Sequence, residues 1–299
     1  MVTLYIIGAG CSRNYEQCIS PVADLKPPLN KDFFKMAKKV IDYYDLNFML
    51  SPILGLDPLV RDINQLFGII SDTRSYNTNI LNDDRLKLED IMNFYYLQGS
   101  ILERDIEEFE ASNNHRVRAL NDLLAYTLTE SLDGPICNKH LLLAEEMQEG
   151  DIVWSFNYDL LMDNALYSRG KLTDSGYLLR FDYVLAEGEW QRVSDNKSPI
   201  TMLKLHGSLN WLRCNSCGRY LLIRNNKSDQ EIWKKIRDIH GYGEEVIRCP
   251  KCNAAESDIF KLERIIIPPS SAKSYDSTEI RSLWRYADRL DKIGIGVKL

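Results

Sequence analysis

The sequence predicts an α/β protein whose sheet is interrupted by two inserts. Three observations carry this. Short apolar, β-prone runs that stop at glycine, asparagine or proline occur near the start, in the middle and near the end of the chain. Between about residues 30 and 148 the apolar residues recur instead near a 3.6-residue spacing, as on amphipathic helices. Two Cys-x-x-Cys pairs then bracket residues 214–252.

Taken in order, residues 2–7 (VTLYII) read as a buried strand, because apolar and β-branched residues run without alternation into Gly8. KDFFKMAKKVIDYY (31–44), LVRDINQLFGII (59–70), KLEDIMNFYYLQGSILERDIEEF (87–109) and VRALNDLLAYTLTESL (117–132) read as helices. SDTRSYNTNILNDD (71–84) is a polar loop, and DGPICN breaks the pattern before the helix KHLLLAEEMQ (139–148). DIVWSF (151–156) is the next strand and DLLMDNALYS (159–168) the helix after it. YLLRFDYVL (177–185) and MLKLHG (202–207) add two strands, and RIIIPP (264–269) gives one with a proline stop. The helix TEIRSLWRYADRLDK (278–292) leads into a last strand, IGIGVKL.

The totals bound the function. Of 299 residues, 44% are apolar and 27% charged, which suits a globular chain with a sizeable core. A net charge of −6 argues against duplex DNA or an anionic membrane as the main partner and leaves room for a local basic groove. No basic segment precedes the first apolar run, and LYII is too short for a signal peptide or a membrane span, so the expected compartment is the cytoplasm. Clustering of cysteines in pairs agrees with a reducing compartment.

Three stretches carry candidate chemistry. In Gly8-Ala9-Gly10-Cys11-Ser12-Arg13, glycines at a strand's carboxyl end let a pyrophosphate approach the backbone, while Ser12 and Arg13 can bond it. The third glycine of the dehydrogenase fingerprint is replaced by Arg13, so an ordinary dehydrogenase reading is weak, and a tight turn is the competing account. Cys11 reads better as a small residue packed under this loop than as a nucleophile. In SFNYD (155–159), Asn157 and Asp159 share a face at a strand end, with a turn and a helix cap as the alternatives. In KLHGSLNW (204–211), His206 is the one histidine of four (115, 140, 206, 240) that ends an apolar strand, and it precedes Gly207. A general base is one reading and a buried, satisfied imidazole the other. His115 and His140 lie on polar helical stretches and carry no assigned role. Cys214, Cys217, Cys249 and Cys252, flanked by NSCGR and CPKCN, suit four-thiolate Zn²⁺ coordination with no open position.

GAGCS, SFNYD, LKLHGS and the paired cysteines, in this order, resemble the sirtuin superfamily over nearly the whole chain. The resemblance implies a Rossmann-like parallel sheet forming one domain over 1–299, with a helical insert at 30–148 and a zinc module at 210–262. It implies that Gly8, Ala9, Gly10, Ser12 and Arg13 bind NAD, and that Asp159 and Gly207 support that site. Asn157 and His206 match the family's catalytic positions, and the four cysteines its structural zinc ligands, with a longer gap between the pairs than is usual.

The departures choose among activities. The Gly-Ile-Pro-Asp-Phe-Arg stretch of deacylating sirtuins is replaced by CISPVADLKPPLNKDFF, and Phe156 stands where a glutamine precedes the Asn. RIIIPPSSAKSY replaces the Phe-Gly-Glu segment that binds acyl-lysine peptide. Val297 and Lys298 stand where the family carries a small polar turn residue, so no residue is assigned to the adenosine end of NAD. PPLNKDFF, LKLED, SFNYD, KLHGSLNW and IIPPSSAKSY look like the bacterial sirtuin-like NAD hydrolase branch of anti-phage defence. That branch implies NAD⁺ cleavage to nicotinamide and ADP-ribose, homo-oligomers, and a defence partner or phage trigger protein. A protein-lysine deacylase and a non-catalytic NAD or ADP-ribose sensor in a larger assembly are the alternatives.

Overall fold

The computed structural model describes residues 2–20, 26–29, 31–40, 87–91, 93, 120, 121, 123–125, 127–186, 188–224, 248–254, 262–267, 278–292 and 296–298. The chain divides into two compact units, one of residues 1–19, 132–267 and 275–299, the other of 20–131 and 268–274. The expected helix at 59–70, the loop at 71–84, and the whole of the stretches 94–119 and 225–247, with His115 and His240, lie outside the described residues.

The first unit is α/β. Four strands, β1 (Thr3–Ile7), β2 (Ile152–Ser155), β5 (Thr201–Lys204) and β9 (Gly296–Lys298), form a parallel sheet in the order β5-β2-β1-β9. From β1 the chain steps outward to β2 and β5, then returns on the other side of β1 as β9. The remaining strands, β3 (Tyr183–Ala186), β4 (Glu189–Arg192), β6 (Gly207–Cys214), β7 (Tyr220–Ile223) and β8 (Leu262–Ile266), make a mixed sheet ordered β4-β3-β7-β6-β8. Among the described residues, four α-helical segments accompany them: the single turn α1 (Ala9–Ser12), α2 (Asn138–Glu146), α3 (Leu161–Ser168) and α4 (Thr278–Lys292).

Burial follows the patterns that the sequence carries. Val153 and Met202, from adjacent strands, have no exposed surface, and both join one apolar cluster with Met162, Ala165 and Leu166 of α3. On α4 the buried positions are Leu283, Ala287 and Leu290, a stripe at helical spacing. Trp211 of β6 and Leu222 of β7 belong to the same cluster, so the two sheets share a core. Lys171 donates to the carbonyls of Ala144 (2.8 Å), Glu145 (2.9 Å) and Met147 (2.6 Å), placing a cation at the carboxyl end of α2.

In the second unit, residues 33–40 and 127–131 are helical, as their periodicity predicts. Asp32 precedes the first and accepts from Leu29 N at 2.6 Å, while Phe33 and Phe34 are buried edge to face with ring centroids 5.1 Å apart.

Two expectations are corrected. The run 177–185 is not one strand: a 3-10 turn covers Asp174–Tyr177, Leu178 is left-handed (φ 56°), and the strand starts only at Tyr183. Tertiary ties override the local β preference here, since Asp174 accepts from Tyr167 Oη (3.2 Å) and pairs with Arg224 (3.5 Å). MLKLHG likewise ends as a strand at Lys204, and Gly207 (φ 81°) turns the chain from the parallel sheet into β6 of the other.

Candidate functional site

Three adjacent parallel strands deliver the three sequence motifs to one end of their sheet. β1 hands on to Gly8, β2 ends two residues before Asn157, and β5 ends two residues before His206. Pairing continues past the strand ends, with Phe156 N donating to Ile7 O (3.0 Å) and Leu205 N to Ser155 O (3.1 Å). The carboxyl end of a parallel sheet, beside a strand where the order reverses, is where open α/β proteins bind ligands.

The glycine loop is exposed from Gly8 to Cys11. Gly8 is extended (φ −125°, ψ 179°), and a Cβ built at Gly8 or Gly10 would meet nothing within 4 Å. Neither backbone strain nor packing against the described residues therefore calls for these two glycines. Ala9 opens α1, and Arg13, half-buried, ends it with its N–H on Ala9 O at 3.0 Å.

Ser12, Asn157 and Asp159 knit this loop to the end of β2. Asn157 Nδ2 donates to Gly8 O (3.0 Å) and to Ser12 Oγ (2.9 Å), and Ser12 Oγ donates to Asp159 Oδ2 (2.6 Å). All three residues are buried. Asp159 Oδ1 also accepts from Leu161 N (3.0 Å), the first residue of α3, so one carboxylate holds both the loop and the start of that helix. Asn157 Oδ1 receives no bond from the described residues.

Beneath them lies a buried charge pair that the sequence reading missed. Lys204 has no exposed surface; its ammonium donates to Asp159 O and to Asp163 Oδ2 (3.0 Å). Tyr177 Oη donates to Asp163 Oδ1 at 2.8 Å. Burial pushes the Asp163 carboxyl up, and the ammonium and phenol beside it only partly offset that. A lysine inside the apolar run MLKLHG was the available signal.

His206 is half-buried in the turn between β5 and β6, not inside the strand. Its ring sits among Phe156 (centroids 5.3 Å apart, 65°), Tyr158 (6.1 Å, 31°) and Trp284 of α4 (6.1 Å, 34°). The turn is fixed from outside: His206 O accepts from Ile267 N (2.8 Å), and Trp284 Nε1 donates to Leu205 O (2.9 Å). Gly207 has a packing reason, because a Cβ there would lie 2.0 Å from Ile265 O.

The four paired cysteines converge, their sulfurs all within 4.8 Å of one another. Cys214 and Cys252 are 3.6 Å apart, Cys217 and Cys249 3.7 Å. A tetrahedral cation with metal–sulfur bonds of about 2.3 Å sets sulfurs roughly 3.8 Å apart, so the donor set fits a structural metal ion. Both pairs use the same turn. Gly218 N donates to Cys214 O (2.7 Å) and Asn253 N to Cys249 O (2.9 Å), with left-handed backbone at Gly218 (70°) and Asn253 (58°). Cys214 N and Cys249 N then donate to Arg219 O (2.9 Å) and Ala254 O (3.0 Å). With all four positions filled by sulfur, such a centre stabilises and offers no place for a substrate.

Two residues stand otherwise than expected. Cys11 is exposed, not packed under the loop. His140, on a stretch read as polar, is 3% exposed. Among the described residues, no helix is long and apolar enough to cross a membrane. No model of a known protein family matches the chain, and no curated protein matches it either.

Proposed function

We propose that the protein hydrolyses NAD⁺ at the nicotinamide–ribose bond, giving nicotinamide, ADP-ribose and a proton. The observation that carries this reading is the meeting of the open glycine loop, Asn157 and Asp159 in one hydrogen-bonded network at the carboxyl end of a parallel sheet, with His206 on the next strand end. The strand order, reversing at β1 beside the glycine loop, supports a Rossmann-like reading of the sheet. The resemblance of GAGCS, SFNYD and LKLHGS to the sirtuin superfamily supports the substrate.

On this reading Gly8, Ala9 and Gly10 let the pyrophosphate reach the backbone, and Ser12 and Arg13 contribute polar contacts to it. Nicotinamide leaves as a neutral amide, so departure needs no general acid. The protein must instead stabilise positive charge on the ribose and place a water. Asn157 Oδ1 is the acceptor available to orient that water or a ribose hydroxyl. Asp159 fixes Ser12 and the loop through the bonds described. His206, held among aromatic rings, takes a proton from the hydroxyl or the water. The four cysteines bind Zn²⁺ as a structural ion. The remaining parts of the reading are a helical and a zinc insert in one domain, a cytoplasmic homo-oligomer, and NAD⁺ depletion in anti-phage defence set off by a partner or phage protein.

The test is nicotinamide release from NAD⁺ by the purified protein, followed by chromatography with and without an acetyl-lysine peptide. The expected result is release without peptide, abolished by His206→Ala and by Asn157→Ala while circular dichroism stays unchanged. Release that requires the peptide would make the protein a deacylase. Undiminished release in either variant would remove that residue from the mechanism.

A further inference from the structure

Tyr158 stands between Asn157 and Asp159, and the proposed reaction gives it no step. It is half-buried just past the end of β2, and both its backbone and its side chain are tied to the turn that carries His206. Its carbonyl accepts from Leu209 N of β6 at 3.0 Å. Its hydroxyl donates to Ile267 O at 2.7 Å. Ile267 follows Ile266, the last residue of β8, which pairs with Gly207. The N–H of Ile267 donates in turn to His206 O at 2.8 Å. A line of hydrogen bonds therefore runs from the Tyr158 hydroxyl across Ile267 to the His206 backbone. The Tyr158 ring also lies beside the imidazole, with centroids 6.1 Å apart.

We propose that Tyr158 is a positioning residue that sets the separation of Asn157 and His206. The consequence for turnover rests on the NAD⁺ reading above, while the geometry rests on the bonds alone. Asn157 and His206 come from different strand ends, β2 and β5. The ladder between those strands is carried on to Leu205, whose N–H donates to Ser155 O at 3.1 Å. Beyond it the chain turns through Gly207, so the imidazole hangs on a turn and not on a strand. Asn157 is fixed on its other side, through Nδ2, to Gly8 O and Ser12 Oγ. The residue next to it then reaches across to the His206 turn with a phenol, a rigid spacer with two side-chain torsions. Trp284 Nε1 holds Leu205 O at 2.9 Å from α4, which restrains the same turn but is not attached to Asn157. A pair of reacting groups loses up to about a hundredfold in rate for a displacement of about 1 Å, so such a spacer matters to turnover more than to folding.

The test is Tyr158→Phe, which keeps the ring and removes only the bond to Ile267 O. Nicotinamide release from NAD⁺ gives kcat and KM, and NMR of protein labelled at histidine Cε1 follows the imidazole. The chain has four histidines, and the signal lost in His206→Ala is the one to follow. The rings of Phe156, Tyr158 and Trp284 lie around it, so its shift reads small displacements. The expected result is a moved His206 signal and a kcat about tenfold lower, with KM within about twofold. A lowered thermal midpoint with the His206 signal and kcat per folded molecule unchanged would make Tyr158 merely structural and overturn the proposal. A raised KM with kcat unchanged overturns it too, by making Tyr158 a substrate contact. Trp284→Phe removes the hold on Leu205 O; an effect there with none in Tyr158→Phe would assign the turn to α4 instead. Wild-type protein that releases no nicotinamide, with the His206 signal still displaced in Tyr158→Phe, would remove the NAD⁺ reading and leave the positioning in place. An unmoved signal removes the positioning whatever the turnover.

Discussion

Lys204 is fully buried, and its ammonium joins the two halves of the candidate site's foundation, the backbone of Asp159 and the carboxylate of Asp163. Replacing it with methionine would leave the Asp163 charge uncompensated at about the same side-chain volume. The expected cost is about 3–5 kcal/mol in denaturant unfolding at neutral pH. The pH dependence has a definite sign. The Asp163 carboxyl is already raised in the folded state, and losing the ammonium raises it further. A carboxyl with a higher pKa folded than unfolded favours folding most below its unfolded pKa, and that contribution is lost as pH rises through the folded value. Lys204→Met should therefore be less defective at pH 5 than at pH 7. A deficit equal at both values would mean that Asp163 is not the group left unpaired. The lysine inside the apolar run MLKLHG was legible as out of place, but its partner was not, because nothing in a chain marks a lysine and an aspartate 41 residues apart as partners. Asn157 and Asp159 were legible, since their place is fixed by the end of a strand.

At the scale of elements, two glycines at motif positions have opposite reasons to be glycine. Gly207 needs both the positive φ and the missing Cβ, because Ile265 O of β8 would lie 2.0 Å from it. Gly207→Ala should cost about 2 kcal/mol or more in unfolding and disturb the β6–β8 pairing. Gly8 has negative φ and open space where the Cβ would go. Gly8→Ala should leave stability within about 0.5 kcal/mol. On the proposed reading it should still weaken NAD⁺ binding in calorimetry, because the methyl group occupies the place of the phosphates. Unchanged affinity would show that the ligand does not approach there. The strands around these glycines were readable where a continuous apolar run met a stop, as in β1 and β2. β4 was not, because its residues EWQR are mostly exposed and polar and their pairing with β3 supplies the order. The split of MLKLHGSLNW between two sheets was hidden for a related reason: a turn made by one positive φ leaves the apolar pattern unbroken.

For the molecule as a whole, the cysteine centre ties Cys214, the last residue of β6, to the second knuckle at Cys249 and Cys252. This was the most legible part of the sequence, since Cys-x-x-Cys spacing alone dictates a knuckle whatever the surrounding chain does. Without a cation the four thiols do not ionise together: burial first, with the neighbouring thiols adding to it, pushes Cys217 up to about 12. A metal must therefore displace protons to bind, and its hold weakens as pH falls. Dialysis against a chelator should remove one equivalent of metal, more completely at pH 5.5 than at pH 7.5. If the centre contributes about 3 kcal/mol, the thermal midpoint falls by roughly 6–12 °C. Cys249→Ser should lower the midpoint in the same way. On the proposed reading, nicotinamide release measured well below that midpoint should persist, because no cysteine of the centre belongs to the network around Ser12 and Asn157. Metal loss that stopped turnover at once, with the thermal midpoint unmoved, would instead place the ion in the reaction and require an open coordination position that the four sulfurs do not leave.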